Sequence, residues 1–360
     1  MDLAALRGRF PVLERLAYLN TGSVGPMPTA ARAAVAAELE RALAEGRGGA
    51  AAFARDAELA GRVRSRIAAL LGCDPWEVAL TGSTTDGVNA VLAGLDLAPG
   101  DEIVTSDEEH PGLLAPLAAI RDRCGVELRV VAFDAVADAV GPRTRLVACS
   151  HVSWRTGRVA DVEALAASIA PVLLDGAQGV GAIAFDIREL GCEYYAAAGQ
   201  KWLCGPVGSG YLYVAEHAIE NLATAWPGYG TVADSSAPLT SAPVAGAARF
   251  DTPTAPAERS AWALAALDAL AEPGIDALAE RAVAEAAGLA RRLTEAGLTV
   301  APRGASTLVS WEADDPAGEA ASLLAEGILV RDLPGTRYLR ASVGGWTSPD
   351  DLDRLVAAAT

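Results

Sequence analysis

The stretch YYAAAGQKWLCGPVGSG, residues 194–210, decides how this chain reads. It opens as a short strand-like run and reaches Lys201, the only lysine in 360 residues, where the other 28 strong cations are arginines. As solvated surface charges the two residues are nearly exchangeable, so a single lysine at a strand exit asks for chemistry in which they differ. A desolvated lysine can lose its proton and become a nucleophilic primary amine, whereas a guanidinium stays charged. The strongest use of such an amine is an imine with a carbonyl compound.

Working outward, short β-rich runs alternate with Ala/Leu-rich helical segments: EVALTG at 77, DEIVTS at 101, ELRVVAF at 127, TRLVACS at 144, PVLLD at 171 and YYAAAG at 194. That alternation predicts a mainly parallel sheet wrapped by helices. SGYLYV at 209 follows a loop too short for a crossover helix and is predicted to pair antiparallel. From about 256 to 298 the pattern is helical with EPG as punctuation at 272, and strands resume at STLVSW, GILVRDL and RYLRASVG, which fits a second, smaller α+β domain. In TSPDDLDRLVAAA, Ser348, Pro349 and Asp351 have the spacing of a capping box.

Ligands of an open parallel sheet bind beyond the carboxyl ends of its strands. After the first run comes TGSTTDGVNAVLAGL, a hydroxyl-rich turn opening a helix; it suits an anion such as phosphate and equally an ordinary capped helix start. DEEHPG places His110 at the second exit, and SHVSWRTG places His151, Trp154 and Arg155 at the fourth. LLDGAQGVG sets Asp175 at the end of an apolar run, with Gln178 three residues on. A carboxylate there is costly to bury without a cation or donors, although a helix N-cap would also account for it.

The formal charge of −17 repels nucleic acid and anionic lipid, and no basic cluster offsets it. No apolar run reaches the roughly 18 residues of a membrane helix, and MDLAALRGRF lacks the layout of a signal peptide, so a cytoplasmic protein acting on a small molecule is expected. Five scattered cysteines and three histidines offer neither a disulfide framework nor metal-ligand spacing, and no metal is expected.

These residues resemble the class V aminotransferase group of fold-type I pyridoxal phosphate (PLP) enzymes along essentially the whole chain, through YLNTGSVGPMP, TGSTTDGVNA, DEEHPG, SHVSWRTG, LLDGAQGVG, GQKWLCGPVGSG and RFDTPT in the family's order. The resemblance implies a seven-stranded, three-layer α/β/α large domain over 16–255 and a smaller α+β domain from 1–15 and 256–360. It implies PLP bound through Lys201, which also moves the Cα proton, with Asp175 on the ring nitrogen, His110 on the ring face and Gln178 on the phenolic oxygen. Thr84 and Thr85 would hold the phosphate, helped by Gln200, which stands where relatives carry histidine. Thr254 would reach the phosphate of a neighbouring subunit, which implies a homodimer with active sites at the interface. Arg340 would grip the substrate α-carboxylate. Arg331, Tyr229, Asn20 and Arg155 complete the expected substrate side, Arg155 standing where relatives have asparagine; for Arg331 a surface cation is an equal reading.

Within the family, DEEHPG, SHVSWRTG and RDLPGTRYLRAS look most like cystine and cysteine C–S lyases, then isopenicillin N epimerase. Cysteine desulfurases of the family carry an attacking thiol in the C-terminal third, and this chain has no cysteine after Cys204. The expectation is β-elimination from cystine, cysteine or a cysteine S-conjugate. Epimerisation, transamination and decarboxylation with oxidative deamination stay open as alternatives.

Overall fold

The computed structural model describes residues 2–252 and 256–359. The chain lays down β1 (Ala17–Tyr18), then β2 (Val78–Thr81), β3 (Glu102–Ser106), β4 (Glu127–Val131), β5 (Thr144–Ser150), β6 (Val172–Asp175), β7 (Tyr194–Ala198) and β8 (Gly210–Val214). The last third adds β9 (Leu308–Glu312), β10 (Ile328–Leu329), β11 (Arg331–Asp332) and β12 (Tyr338–Ser342).

Seven strands form one sheet in the order β2-β8-β7-β6-β5-β3-β4. Every neighbouring pair is parallel except those made by β8, which runs against both β7 and β2, as its short connection requires. The inner strands β6, β7 and β8 are buried at every position. Helices cover both faces of such a sheet, which is why these strands read as continuous apolar runs rather than alternating ones. β4, at the edge, keeps Glu127 and Val130 exposed. Among the helices, Ala50–Leu71 buries Leu59, Val63, Ile67 and Leu71 on one stripe at four-residue spacing.

The smaller sheet has the antiparallel order β11-β12-β9, and its core joins Trp311 and Leu339 to Leu289 and Leu293 of helix Ile275–Glu295 and Leu355 of helix Pro349–Ala359. The capping box forms: Asp351 N donates to Ser348 Oγ at 3.2 Å, and Ser348 N to Asp351 Oδ2 at 2.8 Å. GILVRDL splits instead of forming one strand, since β10 pairs with β1 while β11 pairs with β12.

Two elements pack across the boundaries expected from the sequence. β1, placed with the large domain by the 16–255 division, pairs with β10, and Ala17 and Leu19 pack into the small core. Helix Ala257–Ala271, placed with the small domain, packs on helices Thr29–Glu45 and Ala50–Leu71, and its Leu264 and Leu267 enter the large core. That helix is apolar on more than one face, so it is buried from several directions and joins the nearest layer. No helix among the described residues is long and apolar enough to cross a membrane.

Candidate active site

The carboxyl ends of β3, β5, β6 and β7 open on one cavity of about 230 Å³, together with the start of helix Thr84–Gly94. Lys201 and Gln200 reach it just beyond β7, Asp175 ends β6, Gln178 follows in the next turn, and Trp154 and His110 come from the exits of β5 and β3. The small sheet contributes Arg331 from β11 and Arg340 from β12, which are paired across the strands. The fourth wall is Gly22 and Ser23, in the segment after β1.

That segment lies against the backbone of the lysine. Gly25 N donates to the Gln200 carbonyl at 2.8 Å, and a Cβ on Gly25 would stand 2.1 Å from the Lys201 carbonyl oxygen, so only glycine allows the approach.

Burial is the largest influence on Lys201, Asp175, His110 and Arg340. It pulls Lys201 down to about 8; Asp175 opposes the fall, and Arg340 and Arg331 add to it. The Asp175 carboxyl is raised by burial, countered by the Lys201 ammonium and by Ala177 N, which donates to Oδ1 at 2.9 Å. His110 is held down at about 4 by burial and then by Lys201, Arg331 and Arg340, so its ring is neutral at physiological pH. Its Nδ1 accepts from Gly112 N at 2.9 Å, which places the ring proton on Nε2. The ring meets Trp154 edge-on, with centroids 5.0 Å apart.

Arg340 is 2% exposed, and its Nη1 donates to the Trp154 carbonyl at 2.7 Å while Nε has no protein partner. Burial, with Arg331 nearby, lowers its pKa to about 9, which still leaves it charged at neutral pH. Arg331 Nη1 donates to Ser23 Oγ at 2.9 Å, and Ser23 Oγ donates to Asn20 Oδ1 at 2.6 Å. Asn20 thus stands behind Ser23 and does not line the cavity.

The polar groups without partners match the needs of an anionic, aromatic aldehyde such as PLP. Thr84 Oγ1, a hydroxyl able to donate to a phosphate oxygen, lines the cavity and is buried without a hydrogen bond; Gln200 Oε1 is unpartnered there too, but it is an acceptor and can only receive from a donor. Ser83 caps the helix by accepting from Asp86 N at 3.0 Å, and Thr84 and Thr85 open its first turn, where backbone donors suit a phosphate. Lys201 supplies the amine for the carbonyl carbon, and Asp175 a buried carboxylate for a ring nitrogen. Gln178 is orientated at both ends: Nε2 donates to the Gly22 carbonyl at 2.8 Å and Oε1 accepts from Trp202 Nε1 at 3.0 Å. One N–H of that amide remains for a ligand oxygen.

Besides Asn20, two further sequence expectations end elsewhere. Tyr229 is 86% exposed and outside the cavity, because the segment around it is a surface loop rather than an element packed on the sheet. Arg155 also stays outside; its Nη1 donates to the Asp107 carbonyl at 3.2 Å, drawing the side chain toward the β3 exit. Thr254 lies outside the described residues. Gly22, Ser23, Ser83, Trp154 and Ala177 also line the cavity; each stands inside one of the motifs quoted above, but residue type alone gives none of them a site role. None of the five cysteines lines the cavity.

The Aminotransferase class-V family model matches residues 17–344. The chain is 31% identical over 244 residues to a probable cysteine desulfurase of Methanothermobacter thermautotrophicus, covering 64% of this chain and 61% of that protein. It is 34% identical over 245 residues to isopenicillin N epimerase of Streptomyces clavuligerus, covering 61% and 59%. The match thus spans about three fifths of the length of those curated relatives. Over nearly the full chain the fold superposes on the cystine C–S lyase C-DES in complex with its reaction product, cysteine persulfide: TM-score 0.89, 29% identity, 97% of this chain and 98% of that one. A C-DES variant with glycine covalently linked to its PLP cofactor gives a TM-score of 0.91 at 28% identity, covering 98% of each chain. By the extent of these matches, and by the lysine and carboxylate at the exits of β7 and β6, the chain belongs to the class V aminotransferase family of PLP-dependent enzymes.

Proposed function

We propose that the protein is a PLP-dependent C–S lyase, which eliminates the sulfur group from cystine or a cysteine S-conjugate and gives pyruvate, ammonia and a persulfide or thiol. The observation that carries this reading is a cavity holding one titratable amine and two arginines but no thiol. A desulfurase that takes sulfur onto its own cysteine needs an attacking thiol, and Cys204, the cysteine nearest in sequence to Lys201, is buried with burial pushing its pKa up, which leaves it inert. Similarity to C-DES supports the same assignment.

PLP, when bound, supplies an electron sink for the pair left behind as a Cα proton departs. The chain supplies the rest. Thr84, Thr85 and the first turn of their helix would hold the phosphate, with Gln200 beside them. Asp175 would pair with the ring nitrogen, neutral His110 would face the ring and Gln178 would donate to the phenolic oxygen. Arg340, braced by the Trp154 carbonyl, offers Nε and Nη2 to the substrate α-carboxylate as a fork. Arg331, braced by Ser23, meets a more distal carboxylate such as that of cystine. Lys201 Nζ takes the Cα proton; the Cβ–S bond then breaks with its electron pair leaving on sulfur. The enamine product hydrolyses to pyruvate and ammonia.

Incubation with cystine and with S-methylcysteine, following pyruvate and sulfane sulfur together, tests the reading. Pyruvate from cystine with persulfide sulfur supports it. Deuterium exchange at Cα without pyruvate, or a keto acid formed only with a second amino acid, would replace it by epimerisation or transamination.

The amine state gives a second check. Only neutral amine attacks a carbonyl, so uptake of PLP by the apoprotein should accelerate as pH rises through about 8. Stopped-flow absorbance reads this directly, and a rate that stays flat from about pH 6 to about pH 10 contradicts it.

The reading includes a homodimer. Its support is the RFDTPT motif, whose resemblance implies that Thr254 reaches the phosphate of a neighbouring subunit. Light scattering should give about twice the 36.8 kDa chain mass.

A further inference from the structure

One turn, residues 175–179, carries both Asp175 and Gln178. It is closed by two bonds, Ala177 N to Asp175 Oδ1 at 2.9 Å and Gly179 N to the Gly176 carbonyl at 2.9 Å. The turn is wrapped over a single ring. A Cβ on Gly176 would lie 2.0 Å from Tyr195 Cε1, and a Cβ on Gly179 would lie 2.0 Å from the Tyr195 hydroxyl. Both positions are glycine because the tyrosine already fills the space a side chain would take.

Tyr195 stands on β7, six residues before Lys201, and is 0% exposed. Its hydroxyl shares a hydrogen bond with His151 Nδ1 at 2.9 Å, and His151 N donates to the Asp175 carbonyl at 2.9 Å. His151 is 2% exposed, meets Phe185 edge-on at 5.1 Å and is kept neutral, at about 4, by burial. The proposed reaction uses neither group. A buried phenol and imidazole must satisfy each other, whereas two apolar side chains could fill the same volume without that requirement. The pair therefore asks for a role that packing does not supply.

We propose that Tyr195 and His151 are positioning residues whose hydroxyl–imidazole bond fixes the 175–179 turn, and with it the spacing between the Asp175 carboxylate and the Gln178 amide. This rests on the assignment of those two residues to the PLP ring. The link to chemistry is Ala177 N, the backbone donor that favours the ionised form of Asp175 against burial. A turn that relaxes over Tyr195 weakens that bond and so the carboxylate's hold on a ring-nitrogen proton. The other titratable groups that sense Asp175 are Lys201, Glu109, Cys149 and Tyr195 itself.

The test uses the PLP-loaded protein and reads the pH midpoint of the bound cofactor's absorbance, its dissociation constant and the melting temperature. Tyr195→Phe keeps the ring under the turn and removes only the hydroxyl. It should move the spectral midpoint by about 0.5 pH unit or more and weaken PLP binding about tenfold, in the range of partners that orient a bound group's direct contacts. His151→Leu should do the same, His151→Gln should recover most of the parent values, and the double variant should be no worse than either single one. Parent midpoints and dissociation constants in both single variants, with or without a lower melting temperature, overturn the proposal. Asp175→Asn separates the two levels. If it leaves the midpoint unmoved, the assignment of Asp175 to the ring is wrong; if it moves the midpoint while Tyr195→Phe does not, the positioning role is wrong.

Discussion

Lys201→Ala should cut pyruvate formation by about 10⁴-fold, the upper end for removing a group that moves a proton in the transition state. Lys201→Arg should be no better, because a guanidinium neither attacks a carbonyl nor gives up its proton near neutral pH. Borohydride reduction followed by peptide mass analysis should fix PLP to Lys201 in the parent and to nothing in either variant. Removing the lysine also has a structural consequence, of opposite sign. A buried ammonium is costly, and among the described residues Asp175 is the countercharge that opposes the fall in its pKa. Apoprotein carrying Lys201→Met should therefore melt at or above the parent temperature, since a thioether chain fills the space without a charge. A marked loss of stability would mean that Lys201 holds the fold together as well as serving the reaction.

Arg340→Gln is the second large effect. Losing one partner of a desolvated charge pair costs about 2–5 kcal/mol, which corresponds to a fall in kcat/KM of about 30-fold to several thousand-fold for any amino acid substrate. Arg340→Lys should rescue little, because the ammonium cannot reproduce the planar fork that the Trp154 carbonyl orients. The contrast with Arg331 is diagnostic. Arg331→Gln should damage turnover of cystine, which has a second carboxylate, far more than that of S-methylcysteine, which has none. Equal losses on the two substrates would remove Arg331 from the distal site.

The legible part of this protein was whatever local sequence governs. Seven strands and their exits follow from apolar runs and short connections, so Lys201, Asp175 and His110 could be placed at one sheet edge before any contact was known. The capping box at 348–351 was visible for the same reason. What stayed hidden depends on distant pairing. Gly22 and Ser23 belong to a segment with no periodicity, and they line the cavity because β1 pairs with β10, more than 300 residues away. The same pairing brings Ala17 and Leu19 into the core of the smaller sheet. Tyr229 was placed by likeness of a motif on a loop whose path the strands do not constrain, and it lies at the surface. The Trp154 carbonyl holds Arg340, a role of backbone rather than of residue type, so composition gave no signal of it.

The pairing of early with late residues also bears on synthesis. Residues 17–20 find their strand partners only among residues 328–342: β1 pairs with β10, the Leu19 carbonyl accepts from Ser342 N at 2.7 Å, and Asn20 bridges Ser342. At roughly 5–20 residues per second, a ribosome needs on the order of 15–60 s to make the intervening chain. Throughout that interval residues 17–20 lack their strand partners, and the wall segment that follows them is held only by the bonds of Gly22 and Gly25 to Gln178 and Gln200 of the seven-stranded sheet, which can already assemble. The nascent protein thus carries an open pocket, and cofactor capture in the finished geometry waits for the last strand.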